Sequence, residues 1–332
     1  MEANRRKWLK QTGLILAGLG IAPLQTIASP LIKADYLLPG PDGSPIRISS
    51  NENPYGPSPL ARTAMADSIN LSNRYQWKMI RDLMSAIGAK NGLTADNVLV
   101  GAGSIQIIDM IIQMAALQKG NFVLAEPTFS RWSGNAEKLG LRKISVPLTA
   151  DKRNDLPAML RAINAETRMV YLCNPNNPTG TICKYDDLVS FIKEATKTTL
   201  VMVDEAYLDY TNETSLSSLV DSNENLIVVK TFSKIYGLAG ARIGYALAHA
   251  KTIDKLGDLQ SGANTGVSAA SLAGAMASLK DNDFVKKSYS QNEKTRVYTI
   301  EQLELLNISC IPSHSNFIYF SLANYRRLFL NC

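Results

Sequence analysis

Leu226-Ile227-Val228-Val229-Lys230-Thr231-Phe232-Ser233-Lys234-Ile235-Tyr236-Gly237-Leu238-Ala239-Gly240-Ala241-Arg242-Ile243-Gly244-Tyr245 is the stretch on which the fold turns. Four apolar residues lead into hydroxyls at Thr231 and Ser233, a lysine at Lys234, and glycines at 237, 240 and 244 around Arg242. Such a run reads as a buried strand that delivers polar groups to a site at its end, which is where α/β sheets place chemistry. Lys234 lies between hydrophobic residues, with a second cation eight positions on. Desolvation and a like charge both favour the neutral amine from which a lysine forms a Schiff base. An ordinary surface lysine in a glycine-rich loop has the same local sequence, so this stretch alone leaves both readings open.

Upstream, the same texture repeats. Strands are predicted over 98–100, 122–125, 142–146, 169–173, 200–203 and 226–229, and helices over 59–69, 77–87, 105–117, 129–139, 155–163 and 185–196. Short apolar strands between helical stretches predict an α/β fold, a mostly parallel mixed sheet flanked by helices on both faces. Downstream the texture changes near Lys251: helical patterns dominate 252–306, and short strands follow at 310–311 and 316–320. The expected division is a segment 29–58 associated with a smaller α+β domain, a large domain over 59–250, and the smaller domain over 251–332. Prolines and glycines crowd 39–59, which is long for an idle connection.

A chain of 332 residues, 45% hydrophobic and 19% charged, has the composition of a globular enzyme rather than a disordered one. Half of its net charge of +6 lies in residues 1–11, where Arg5, Arg6, Lys7 and Lys10 face Glu2 alone. No basic cluster interleaved with aromatics follows, so nucleic acid has no footprint. With the apolar run 13–22, Pro23, Thr26 and Ala28, those residues resemble a twin-arginine export signal over 1–28. Its apolar run is too short to span a bilayer. This address implies an exported, periplasmic protein, with a cytoplasmic one as the alternative, and a cofactor bound before export. Cys173, Cys183, Cys310 and Cys332 show no CxxC spacing and the only histidines are His249 and His314, so no metal site is expected.

Four further clusters sit at predicted strand ends. Gly101-Ala102-Gly103-Ser104 lies between strand and helix, where free amides and the helix dipole favour a phosphate. Cys173-Asn174-Pro175-Asn176-Asn177-Pro178-Thr179-Gly180 can hold an asparagine amide rigidly. Asp204 and Tyr207 stand three apart just past a strand, and Glu126-Pro127-Thr128-Phe129 sets an aromatic ring at another. Each has an ordinary alternative: a steric turn, proline turn chemistry, a helix N-cap, a core filler. Their joint order, closed by Ser233-Lys234 with Arg242 eight residues on, resembles the class I/II aminotransferases, fold-type I enzymes that use pyridoxal phosphate. Within that group Asn51-Glu52-Asn53-Pro54-Tyr55-Gly56-Pro57, Asn73-Arg74-Tyr75 and Ser315-Asn316-Phe317 look most like histidinol-phosphate aminotransferase. The resemblance runs from about Ile48 to the end of the chain.

The resemblance implies roles residue by residue. Lys234 would hold pyridoxal phosphate as a Schiff base and, once an amino donor displaces it, carry the substrate's Cα proton. Asp204 would pair with the pyridinium nitrogen, Tyr207 would donate to the phenolic oxygen with Asn177 beside it, and Phe129 would stack on the ring. The phosphate would meet the backbone around Gly103, Ser104 and Ile105, the Ser233 hydroxyl and the Arg242 guanidinium. Tyr75 would reach the phosphate of a neighbouring subunit, implying a homodimer with shared active sites, and Tyr55 is the candidate substrate contact. Two departures from the family pattern are visible. Gly103-Ser104-Ile105-Gln106 stands where GSDE is common, so cofactor binding is expected to survive on backbone amides with a different helix start. Relatives continue past the strand matching 317–320, through a helix, to strands bearing a substrate-gripping arginine. Here Arg326 and Arg327 fall in that helix and the sequence ends at Cys332, so the small domain is expected to be incomplete. The expected activity is amino transfer between an amino acid or amino alcohol phosphate and a 2-oxo acid. The alternatives are a lyase or decarboxylase on the same scaffold, or a truncated chain that binds cofactor without turnover.

Overall fold

The computed structural model describes residues 48–260 and 266–322. The expected leader 1–28, residues 29–47 of the segment after it, and Arg326, Arg327 and Cys332 lie outside the described residues. A single compact unit begins at Ser49.

Seven strands form one sheet: β1 (Val98–Gly101), β2 (Gly120–Glu126), β3 (Leu141–Pro147), β4 (Thr167–Cys173), β5 (Leu200–Asp204), β6 (Leu226–Thr231) and β7 (Gly244–Ala248). Their order is β1-β7-β6-β5-β4-β2-β3. All neighbours are parallel except the two pairings of β7. The inner strands read as continuous apolar runs because both faces are covered. Side-chain alternation sends Val170, Leu172, Val201, Val203 and Val228 to one face. Met169, Tyr171, Met202, Ile227 and Val229 go to the other.

The helices are α1 (Pro59–Asp67), α2 (Trp77–Lys90), α3 (Ser104–Ala115), α4 (Ser133–Lys138), α5 (Leu156–Ala162), α6 (Tyr185–Ala195), α7 (Ala250–Leu259), α8 (Ala269–Lys280) and α9 (Asn282–Leu305). α2 and α6 cover the first face through Ile80, Leu83, Ile87, Leu188, Phe191 and Ile192. α3 and α7 cover the second through Ile107, Ile108, Ile111, Ile112, Ile253 and Leu256. These apolar positions recur at helical spacing, the stripe a helix needs to face a core.

Two features depart from the sequence reading. The glycine-rich stretch after Lys234 ends in a strand, β7, which lies antiparallel between β1 and β6 and pairs Tyr245 with Lys230. Its Ala-rich sequence, Gly-Tyr-Ala-Leu-Ala, carries little strand propensity, and burial between two neighbours decides its state. The helix expected over 129–139 begins only at Ser133: Phe129 is held in an irregular segment, where its carbonyl accepts the Trp132 indole N–H at 2.9 Å. Beyond Lys251, α7 lies on β1, β7 and α3 while α8 lies on α1 and α2. A second, two-stranded antiparallel sheet pairs β8 (Cys310–Ile311) with β9 (Tyr319–Phe320).

Candidate active site

β4, β5 and β6 point their carboxyl ends into a cleft of about 320 Å³, the place where parallel α/β sheets bind ligands. Lys234 enters it from the turn after β6. Thr231 builds that turn: its hydroxyl accepts the Ser233 N–H at 3.0 Å and donates to the Ser233 hydroxyl at 2.9 Å. The Lys234 amine donates to the carbonyls of Ser50 at 2.9 Å and Asn51 at 3.2 Å, and lies 5.3 Å from the centre of the Tyr207 ring. Burial lowers its pKa; Asp204 and Glu52 oppose that shift and Arg242 adds to it.

Asp204 ends β5 and is 3% exposed. One carboxylate oxygen accepts the Tyr171 hydroxyl at 2.9 Å and the other accepts the Ala206 N–H at 3.0 Å. The turn-capping role that competes with a functional one is therefore real, but it uses only one oxygen. Burial raises the Asp204 pKa, while the two hydrogen bonds and the Lys234 charge pull it down. A carboxylate so placed is stabilised by any further cation in the cleft. Tyr207 is buried, packs edge-on against Phe317 at 5.0 Å, and its hydroxyl oxygen accepts amide N–H groups from Asn177 and Asn51, each at 3.2 Å. Phe129 lines the same cleft.

At the other end, Ser104 and Ile105 open α3 beside Ser233 and Arg242. Gly103 caps α3 without a side-chain bond, at φ 82°, and its own N–H is committed to the Gly101 carbonyl at 2.8 Å. It therefore acts by lacking a side chain: a Cβ there would collide with the Arg242 guanidinium. Gln106, the departure from the family pattern, turns back to accept the Ala102 N–H at 2.6 Å. Arg242 itself has φ 53° and donates to the Ala239 carbonyl at 3.0 Å.

Two expected residues stand apart. Tyr75 is 76% exposed and stacks on Trp77, with ring centres 5.8 Å apart; Tyr55 is 46% exposed, and neither lines the cleft. Sequence reasoning gave no role to Asn51 or Tyr171, and none to Lys230, which is buried against Glu205 at 3.2 Å and Asp209 at 3.6 Å. Glu205 also accepts the Ser215 hydroxyl at 2.6 Å and the Leu216 N–H at 2.8 Å. Only the adjacency of Glu205 to Asp204, and of Lys230 to the Thr231 turn, hinted at this pair.

The donor set fits pyridoxal phosphate. An amine of lowered pKa stands between a buried carboxylate and a phenol, and the side chain missing at Gly103 leaves room for a guanidinium over a helix start. The sequence matches the aminotransferase class I and II family over residues 44–327. It is 38% identical over 278 residues to a histidinol-phosphate aminotransferase of Moorella thermoacetica, covering 82% of this chain and 71% of that protein. It is 35% identical over 280 residues to histidinol-phosphate aminotransferase 1 of Psychrobacter arcticus, covering 84% and 73%. The structure of histidinol-phosphate aminotransferase from Sinorhizobium meliloti in complex with pyridoxal-5'-phosphate superposes with a TM-score of 0.77 at 29% identity, covering 92% of this chain and 85% of that one. With a match across most of its length, this chain belongs to the class I and II aminotransferases.

Proposed function

We propose that this aminotransferase binds pyridoxal phosphate at Lys234 and moves the amino group of histidinol phosphate, or a closely similar amino alcohol phosphate, to a 2-oxo acid. The observation that carries the proposal is the convergence of Lys234, Asp204, Tyr207, Asn177, Ser233 and Arg242 on one cleft, joined to the names of the relatives. When bound, pyridoxal phosphate supplies an electron sink for the charge that develops at the substrate's Cα. The residues do the rest. Lys234 would hold the cofactor and then carry the Cα proton on its amine, whose pKa burial lowers from the ordinary lysine value. Asp204 presents its carboxylate to the ring nitrogen and holds a proton there. Tyr207 donates towards the phenolic oxygen with Asn177 beside it, and Phe129 packs on the ring. The amides of Ser104 and Ile105, the Ser233 hydroxyl and Arg242 bind the phosphate, with Gly103 giving the guanidinium its space.

A homodimer with Tyr75 reaching the partner's phosphate site completes this reading. Its support is the exposed apolar surface of Leu60, Ile69, Leu71, Tyr75 and Trp77; Tyr55, which does not line the cleft, is kept as the candidate substrate contact. The Arg5-Arg6 pair and the apolar run after it support export by the twin-arginine route, with a cytoplasmic location as the alternative. No helix among the described residues is long and apolar enough to cross a membrane. The domain reading pairs the segment before α1 with the β8–β9 sheet, through the hydrogen bonds of the Asn316 amide to the Asn51 and Glu52 carbonyls.

The test follows the bound cofactor's absorbance as amino donors are added singly. Conversion to the aminated cofactor by histidinol phosphate, with amino transfer to 2-oxoglutarate, supports the proposal. Release of carbon dioxide without amination moves the reading to a decarboxylase, and an unchanged chromophore in Lys234→Ala defeats it.

A further inference from the structure

Among the described residues, Asn51 hydrogen-bonds both the Tyr207 hydroxyl and the Lys234 amine at the heart of the cleft. Its side-chain amide donates to the Tyr207 hydroxyl and its carbonyl accepts from the Lys234 amine. It is half-buried, with φ 52°, and the preceding Ser50 also has positive φ, at 71°. Two successive left-handed residues turn the backbone so that the carbonyls of both face Lys234. The Asn316 amide fixes the turn from behind, donating to the Asn51 carbonyl at 3.0 Å and the Glu52 carbonyl at 3.3 Å.

The consequence lies in the count of hydrogen bonds at one oxygen. A phenol has one proton to donate and two lone pairs to accept with. Among the described residues, the Tyr207 oxygen accepts two amide N–H groups, from Asn177 on the loop after β4 and from Asn51 on the segment before α1. Both lone pairs are then occupied, and the single phenol proton is left for an acceptor in the cleft. With Asn177 alone, the proton would have a free choice between the cleft and a neighbour.

We propose that Asn51 is a positioning residue that fixes the donor polarity of Tyr207: together with Asn177 it saturates the phenol oxygen, so that the Tyr207 proton points at the ligand. The inference rests on the reading of the cleft as a pyridoxal phosphate site and adds to it a residue that acts only through Tyr207.

Asn51→Asp is the discriminating variant. It keeps the size of the side chain but replaces the N–H donor with an acceptor, which draws the phenol proton away from the cleft. The experiment measures the Kd of the cofactor-free protein for added pyridoxal phosphate, by equilibrium dialysis, for the parent, Asn51→Asp, Tyr207→Phe and the double variant. Asn51→Asp and Tyr207→Phe are each expected to weaken binding about tenfold, the loss of one charge-assisted hydrogen bond. The double variant is expected to bind within about twofold of Tyr207→Phe alone, because the two changes remove one interaction. Asn51→Ala, which can neither donate nor accept, serves as the second variant, with the same non-additivity expected against Tyr207→Phe; thermal melting of every variant checks the fold. Losses that multiply in the double variants overturn the proposal, since a merely structural role for the turn would act independently of the phenol. An Asn51→Asp protein that binds as tightly as the parent overturns it too, because the polarity would then not matter. A parent chain that takes up no pyridoxal phosphate fails at an earlier step and overturns the functional reading itself.

Discussion

Lys234 loses water without losing hydrogen-bond partners. Two carbonyls receive its amine while burial depresses its pKa, a combination that keeps the side chain in place and its neutral form accessible. The rate of pyridoxal phosphate capture is therefore expected to rise with pH through a pKa below the ordinary lysine value of about 10.4, and to level off above it. Stopped-flow absorbance across pH 6 to 12 reads this directly, and a midpoint at or above that of a free lysine amine would contradict it. Gly103 makes the complementary point about space. Gly103→Ala forces a side chain into an extended, positive-φ backbone that is essentially confined to glycine, at about 1–3 kcal/mol, and pushes against Arg242. Because the obstacle is the far end of a flexible side chain, the guanidinium moves rather than the backbone. The expected result is a Kd for pyridoxal phosphate raised about tenfold, with a melting temperature only a few degrees lower.

Among the elements, the ends of β5 and β6 matter most. β5 delivers Asp204 and then Tyr207, while β6 delivers Ser233 and Lys234. The buried Lys230–Glu205 pair ties the start of one loop to the start of the other. Burial disfavours the Lys230 ammonium, but Asp209 and Glu205 outweigh it and raise its pKa above the ordinary lysine value. Such a pair contributes little over an apolar substitute, but breaking it strands a charge. Lys230→Met is expected to destabilise the chain by about 3–5 kcal/mol, seen as a melting temperature lower by roughly 10 °C. Lys230→Met with Glu205→Gln should recover part of that loss, and a double variant as unstable as the sum of the two would show that the pair is not coupled.

At the scale of the molecule, the cleft joins parts far apart in the chain. Asn53 donates to the Ile235 carbonyl at 2.8 Å and the Ser288 hydroxyl at 3.2 Å, so the segment before α1 is pinned both to the lysine loop and to α9. Gly237 lies against the Gly56 carbonyl with no room for a side chain. Tyr75 faces away from this assembly, 76% exposed, and the proposed dimer gives it its task. Co-expression of Lys234→Ala with Tyr75→Ala subunits is expected to recover up to about a quarter of parental activity, since mixed dimers then carry one complete site. Equal inactivity of the mixture and of the separate variants would place Tyr75 outside the neighbour's site.

The sequence by itself determined the alternating strands and helices and the order of groups at the strand ends. Apolar runs buried on both faces leave no other pattern, and Asp204, Asn177, Ser233 and Lys234 follow their strands within a few covalent bonds. The Ser104 turn was legible for the same reason, whereas Arg242, eleven residues past the end of β6, was legible only through the family resemblance. Tertiary structure alone decided that β7 runs antiparallel through the sheet, that α7 lies on β1, β7 and α3 and α8 on α1 and α2, and that Asn51, Tyr171 and Lys230 support the site. Asn51 meets Tyr207 across 156 residues and Lys234 across 183. No local propensity encodes such meetings, because they exist only once the sheet has brought its strand ends and the segment before α1 to one place.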